Sequence, residues 1–329
     1  MKIKKPIIII LGEPNSIFTE ILSKALNKKK IKKKINYPIV IIGSKNLLDT
    51  QLKVLRKKIN FSLINPKNVI HNKLKKGLYL IDVKYNFKKP FDIISNKSKN
   101  YISKCFDIGV KFLNEKKSEI LINGPVSKKH FLENKFPGVT EYIFNKSKKK
   151  ISKNPIMLIF NKNFSVSPIT THIPLKNVNK NINRKLVENN IIKINNFYKE
   201  KLNQKPKIAV LGINPHCEST SKVSEENTII VPTIKKLKKK KLYIDGPFSA
   251  DTFFLKNNMK KFNTVVGMYH DQVLTPFKTI FGFDASNITL GLPFIRISVD
   301  HGPNEDMIGK NKSNTKSIEN IFNLIHSLK

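Results

Sequence analysis

The sequence predicts an α/β protein built on a mostly parallel sheet covered by helices on both faces. Two observations carry this. Isoleucine-rich runs such as Pro6–Leu11 are apolar at every position, as strands buried on both faces require. Between such runs lie segments with helical spacing, beginning with Ile17, Ile21, Leu22 and Leu26, and the alternation starts at the first residues. The chain has 329 residues, 40% of them hydrophobic, enough for two lobes or one large α/β unit.

In chain order, Gly12-Glu13-Pro14-Asn15 ends the first strand, and Asn15 or Ser16 is placed to cap the first helix. Tyr37–Ile42 reads as a strand, Leu47–Leu55 as a helix and Leu78–Val83 as a strand. Ile102, Phe106, Val110 and Leu113 form one helical face, and Glu119–Asn123 follows as a strand. The character changes near Gly124-Pro125: a short basic stretch leads to the turn Phe136-Pro137-Gly138. Pro155–Phe160 and Phe164–Ile169 read as adjacent strands, Val178–Leu202 as one long polar helix, and Ile208–Leu211 as a strand ending on Gly212. Ser224–Lys239 reads as a helix with a basic end, Val265–Val266 as the centre of a buried strand, Leu292–Val299 as an apolar strand. Ile318, Ile321, Phe322, Ile325 and Leu328 mark an amphipathic closing helix.

The formal charge is +39, yet the only arginines are Arg56, Arg184 and Arg296. Nucleic-acid readers favour the planar arginine fork. Scattered lysines among many Asn and Ile instead fit a compositional bias, with lysine runs such as Lys236–Lys241 as solvated helix ends, so no dedicated nucleic-acid partner is expected. Cys105 and Cys217 are too few and too far apart for a disulfide framework. The first apolar run lacks a small-residue cleavage site and reads as a strand, not a signal peptide. No apolar stretch approaches the ~20 residues a membrane span needs. A reducing, cytoplasmic location is expected.

His172, His216 and His270 each follow an apolar strand-like run, at the strand edge where open α/β sheets bind ligands. Together they could hold a divalent metal with an open position; singly, each could be a structural hydrogen-bonding group. Asp251 and Asp271 lie nearby in sequence, suited to ligand, orienting or proton-accepting roles, with a helix cap the alternative for Asp251. Lys278, Asn287 and Arg296 could hold an anion. Arg296 is the sharpest of these, since a charge inside an apolar strand needs a fixed partner. His301-Gly302 with Asp306 and Gly309 forms a further loop of interest, whereas His71, His130 and His326 lie outside any constellation.

Longer segments carry a resemblance: Gly124-Pro125-Val126 with Lys128, Thr171-His172-Ile173-Pro174, Leu211-Gly212-Ile213-Asn214-Pro215-His216, Ala250-Asp251-Thr252, Met268-Tyr269-His270-Asp271-Gln272, and Asn287 through Arg296 followed by Ser298-Val299-Asp300-His301-Gly302. From Ile7 to about Asn314 the chain resembles the PdxA family of 4-hydroxythreonine-4-phosphate dehydrogenases. The resemblance implies a two-lobed α/β/α fold like that of isocitrate and isopropylmalate dehydrogenases. Its first lobe would be 1–126 plus 279–329, and its second lobe 127–278, carrying the metal ligands and dimer contacts. It further implies a homodimer with the active site at the subunit interface, and one Zn, Mg or Co ion on His172, His216 and the partner subunit's His270. Substrate would be bound by Thr140, Lys278, Asn287 and Arg296. NAD or NADP would sit on the loop with His301, Gly302 and Asp306, and Asp251, Asp271 and Lys278 would be catalytic.

The implied reaction is oxidation and decarboxylation of 4-phosphooxy-L-threonine to 3-amino-2-oxopropyl phosphate in vitamin B6 biosynthesis. Two other readings stand beside it: a same-fold dehydrogenase of another phosphorylated hydroxy acid, and a basic binding protein. The chain departs from the family pattern at several points. Ser16, Phe18 and Thr19 replace two glycines and a proline of the first loop. Val139 stands where the family has a substrate histidine, Val273 replaces a glycine, and Pro303-Asn304-Glu305 replaces a Thr-Ala-Leu type run.

Overall fold

The computed structural model describes residues 5–71, 74–133, 135–148, 155–218 and 223–328, the side chains of 70 and 71 excepted. Its strands, in chain order, are β1 (Ile7–Ile10), β2 (Pro38–Gly43), β3 (Ser62–Leu63), β4 (Gly77–Asp82), β5 (Ile120–Asn123), β6 (Ile156–Phe160), β7 (Ser165–Pro168), β8 (Ile208–Leu211), β9 (Ile244–Phe248), β10 (Thr264–Gly267), β11 (Ser286–Leu290) and β12 (Ile295–Val299). The chain forms two compact units, one of residues up to Pro155 with Ser286–Ser327, the other of Ile156–Ala285.

In the first unit the strand order is β3-β4-β2-β1-β5-β12-β11. All neighbours are parallel except β11 and β12. Every residue of β1 is buried, as a central parallel strand demands. Helix Lys99–Asn114 covers one face with Tyr101, Ile102, Cys105, Phe106, Val110 and Leu113. It approaches closely because Gly109 has no Cβ; one placed there would meet Ile10 Cδ1 at 2.8 Å. The expected break after residue 126 and the observed one after Pro155 differ by a segment whose Phe131, Leu132, Tyr142 and Ile143 join this core. Those aromatic and aliphatic side chains fix which unit the segment belongs to. The closing helix forms as expected over Lys316–Ser327 and buries Ile318, Ile321, Phe322 and Ile325.

In the second unit the order is β6-β7-β10-β8-β9, with β6 antiparallel to β7 and the other neighbours parallel. Phe164, Val166, Ala209, Leu211, Val265, Val273 and Phe277 pack its core. The helix expected over Val178–Leu202 is interrupted. Val178–Asn181 ends at Ile182, and a new helix, Arg184–Asn196, starts where Asn183 accepts the Leu186 N–H at 2.9 Å. An asparagine side chain that satisfies an amide at a helix start makes a break as stable as continuation. The expected cap of the first helix also differs: Ile17 occupies the cap position of Phe18–Asn27, while Ser16 Oγ accepts the Phe18 N–H at 3.3 Å. Asn15 faces inward, its Oδ1 accepting from Asp92 N and its Nδ2 donating to Ile93 O.

Candidate active site

His172, His216 and His270 follow β7, β8 and β10, and those three parallel strands are neighbours in the order β7-β10-β8. The sequence therefore delivers all three imidazoles to one edge of one sheet, at strand C-termini. Their loops are tied together by buried hydrogen bonds. Gln272 accepts the Met268 N–H at 2.7 Å through Oε1 and donates from Nε2 to Gly212 O at 2.6 Å, joining the His270 loop to the His216 loop. Thr170 Oγ1 donates to Met268 O at 2.7 Å and joins the His172 loop to the same point. Glu226 accepts from Ile213 N, Asn214 N and Asn214 Nδ2 at 2.7–2.9 Å. Burial works to raise this carboxyl, but the Asn214 and Ile213 hydrogen bonds outweigh it and hold it below its usual range. The loop so gripped turns through His216, whose backbone is left-handed at φ 54°.

His270 Nδ1 lies 2.7 Å from Asp271 Oδ1, and His216 Nδ1 lies 3.8 Å from Asp251 Oδ2. Asp251 is itself hydrogen-bonded by Ser249 Oγ, and that contact with the nearby His216 holds its carboxyl below the usual range. The Asp271 carboxylate on one ring nitrogen of His270 fixes that imidazole and leaves its other nitrogen for a metal, so the donor chemistry fits a divalent ion. The His172 and His270 rings are 6.1 Å apart, yet among the described residues of one chain no group of three His, Cys, Asp or Glu is gathered tightly enough to hold a metal. Lys278 lies on helix His270–Phe281, with Nζ 4.9 Å from the Phe283 ring centre.

The first unit carries the anion-binding residues. Arg296 is on β12, 4% exposed, and stands opposite Thr289 of β11 in register. Its Nε donates to Asn123 Oδ1 at 2.8 Å, and Nη1 donates to Thr289 Oγ1 at 3.0 Å and Thr140 Oγ1 at 3.2 Å. All three acceptors are neutral. Among the described residues no carboxylate comes within 4.0 Å of the guanidinium, and Nη2 makes no hydrogen bond. Burial pulls its pKa down to about 10, with Glu141 acting in the opposite direction, so the group is cationic at neutral pH. Asn287 shares the Thr289 face of β11, two residues away, and its buried Oδ1 has no partner; neither has Glu141 Oε2.

The loop after β12 holds His301, Gly302 and Asp306. His301 Nδ1 is 2.9 Å from Gly302 O, and Nε2 is 3.2 Å from Ser317 Oγ, which ties the loop to the closing helix. Ile17 N donates to Pro303 O at 3.2 Å, joining it to the loop after β1. There Glu13 is buried, accepting from Ser98 Oγ and Asn15 N. Burial raises its carboxyl to about 7, with those hydrogen bonds opposing and Glu305 adding. His130 Nδ1 is 2.8 Å from Asn96 Oδ1, His326 is exposed, and the His71 side chain lies outside the described residues. Gln272, Glu226 and Glu141 were not singled out by sequence reasoning. Gln272 directly follows His270-Asp271, and Glu141 directly follows Thr140; adjacency was the available signal.

The chain has a mixed α/β scaffold of a kind found among dehydrogenases. An isocitrate dehydrogenase from Methylococcus capsulatus aligns over 98% of this chain and 84% of its own, with a TM-score of 0.50 at 10% identity, a likeness of fold alone. The chain belongs to the pyridoxal phosphate biosynthetic protein PdxA family, whose profile matches residues 34–325. A 4-hydroxythreonine-4-phosphate dehydrogenase from Sulfurihydrogenibium sp. (strain YO3AOP1) is 40% identical over 313 residues, covering 94% of both chains. A crystal structure of 4-hydroxythreonine-4-phosphate dehydrogenase from Klebsiella pneumoniae superposes with a TM-score of 0.78 at 25% identity, over 98% of this chain and 99% of that one. Among the described residues no helix is long and apolar enough to cross a membrane.

Proposed function

We propose that this chain is an oxidoreductase that oxidises and decarboxylates 4-phosphooxy-L-threonine to 3-amino-2-oxopropyl phosphate, in the biosynthesis of vitamin B6. Family membership supports the reaction. The single structural observation that carries it is Arg296, a buried cation whose hydrogen bonds among the described residues all go to neutral groups, with Nη2 assigned to an anion. The phosphate is assigned to Arg296, Thr140 and Asn287, and Lys278 to the reacting end of the substrate.

His172, His216 and His270 would hold one divalent ion, with a second copy of the chain supplying the third imidazole, so that the working unit is a homodimer. When bound, the ion supplies a Lewis acid toward the C3 oxygen, and NAD or NADP, held at the His301–Asp306 loop, supplies the hydride acceptor. Asp271 acts through the His270 ring it contacts, holding it in one tautomer and orientation, and Asp251 acts on His216 through its charge. Lys278 is assigned the proton leaving the C3 hydroxyl. The resulting ketone is β to the carboxylate, so CO2 can depart with its electron pair taken up by the ketone. Lys278 can return a proton to the enolate. The enzyme's location is assigned to the cytoplasm.

The test is reduction of NAD and NADP by purified protein with 4-phosphooxy-L-threonine and Zn, Mg or Co in turn. Turnover that depends on both substrate and a divalent ion is expected; none with any pair of cofactor and ion overturns the proposal. One observation favours a second reading. Val139, where the family carries a histidine, is a partly buried residue packed against the first unit's core, so a polar substrate contact is missing. Faster turnover of another phosphorylated hydroxy acid would favour that reading.

A further inference from the structure

Residues 83–95, between β4 and the turn Asn96–Ser98, form neither strand nor helix. An irregular stretch longer than about a dozen residues is uncommon in a compact unit and is often a lid or binding loop. This strap lies against the loop after β1, at the strand C-termini where open α/β sheets take ligands. Three buried side chains pin it there. Gln51 Nε2 donates to Pro14 O and to Pro90 O, both at 2.8 Å. Asn15 accepts from Asp92 N and donates to Ile93 O. Glu13, 2% exposed, accepts from Ser98 Oγ at 3.0 Å. The strap also backs the loop after β12: a Cβ on Gly309 would meet Phe91 Cδ2 at 3.2 Å, and Ile17 N donates to Pro303 O.

Of the three pins only Glu13 can ionise. As a carboxylate it has Ser98 Oγ and the Asn15 N–H at 3.3 Å as donors among the described residues, too few for a desolvated charge. Its neighbours do not compensate. Glu305, on the loop after β12, adds like charge. Tyr85 of the strap is held above the usual phenol range by burial, then by the charges of Glu13 and Asp92, and so stays neutral. Pro125, which accepts the Glu13 N–H, carries no charge. Lys99, at the start of the next helix, is engaged by Glu133, and Lys84, Lys88, Lys89 and Lys97 are exposed. His130 reaches the end of the strap at Asn96. Lifting the strap would let water reach the carboxylate and separate it from Glu305. We propose that Glu13 is a proton-operated latch: neutral, it holds the strap and the loop after β12 closed over the ligand edge of the first unit; ionised, it releases both. Its value in the closed unit, about 7, lies above the 4.5 it regains on exposure, so closure is favoured at low pH and is lost as pH rises through about 7. Resting on the reading that His301–Asp306 holds NAD or NADP, the latch weakens cofactor binding as pH rises.

Hydrogen exchange of the full chain at pH 6 and pH 8, followed by mass spectrometry, tests the latch, each rate being divided by the intrinsic rate of the amide at that pH. Protection of peptides spanning 84–98 and 301–309 should fall about tenfold between the two values, the change that one proton with a pKa of about 7 allows, while the β1 amides keep theirs. In Glu13→Gln, which mimics the neutral acid, protection should be equal at both. Equal strap protection at pH 6 and pH 8 in wild type overturns the latch. So does a fall that survives in Glu13→Gln, which would pass the response to another group such as His130. Binding of NAD and NADP, measured by calorimetry, should weaken over the same interval in wild type and not in Glu13→Gln. No cofactor binding at either pH, with the strap still responding, would overturn the cofactor-loop reading alone.

Discussion

Arg296 on β12 faces Thr289 on β11 across an antiparallel pair, and its Nη1 donates to the Thr289 hydroxyl at 3.0 Å. With Nε donating to Asn123 and Nη1 also to Thr140, the hydrogen bonds of this guanidinium among the described residues all go to neutral groups, the basis on which Nη2 is proposed to meet a ligand.

Arg296→Lys should therefore keep the charge and lose the fork. The expected cost is roughly 1.5–3 kcal/mol of transition-state binding, or about ten- to a hundredfold in kcat/KM, with little change in cofactor affinity. Steady-state kinetics with each substrate varied checks this. A loss confined to the cofactor KM would contradict the assignment.

Gln272 ties the His216 loop to the His270 loop through Gly212 O and Met268 N. Gln272→Leu leaves both backbone groups buried and unpaired, at roughly 1–3 kcal/mol each. A lower Tm and weaker divalent-ion binding should appear together, the second measured by competition with a chelator. A fall in Tm with unchanged ion affinity would make Gln272 structural only.

If a second copy completes the metal site, His172→Ala and His270→Ala proteins should each be inactive and should recover part of the activity when mixed. In the heterodimer one site carries both defects and the other carries three intact histidines. No recovery, with subunit exchange shown by mass spectrometry, would mean that each site is built from one chain.

Glu13 gives a pH dependence. Its folded-state pKa, about 7, lies above the ordinary 4.5, so between those values the folded state binds more protons than the unfolded one. Its contribution to stability is thus present at low pH and is lost as pH rises through about 7. Glu13→Gln, which mimics the protonated acid, should gain Tm relative to wild type between pH 5 and pH 8. A constant difference across that range would contradict the buried-acid account.

Central strands were legible because burial on both faces leaves an uninterrupted apolar run, as in Ile7–Ile10. Arg296 was legible for the converse reason, as a charge in such a run. Polar β11, with Ser286, Asn287 and Thr289, carries no such signal, because those residues interrupt the apolar run, Thr289 accepting from Arg296. The break at Asn183 was hidden because its cap competes locally with a pattern that favours continuation. Gln272 and Glu226 act on backbone groups distant in sequence, and a buried side chain bonding to a far-off loop leaves no periodic trace. Strand C-termini positioned the three histidines from sequence alone, whereas the 6.1 Å between His172 and His270 required coordinates.

The central claim is an oxidation coupled to loss of the carboxylate, and it is tested most directly by measuring CO2 and reduced cofactor in the same reaction with 4-phosphooxy-L-threonine labelled at C1. The account predicts that label is released as CO2 in step with cofactor reduction, and that both stop when the divalent ion is chelated. Reduced cofactor without labelled CO2, or labelled CO2 without reduced cofactor, would contradict it.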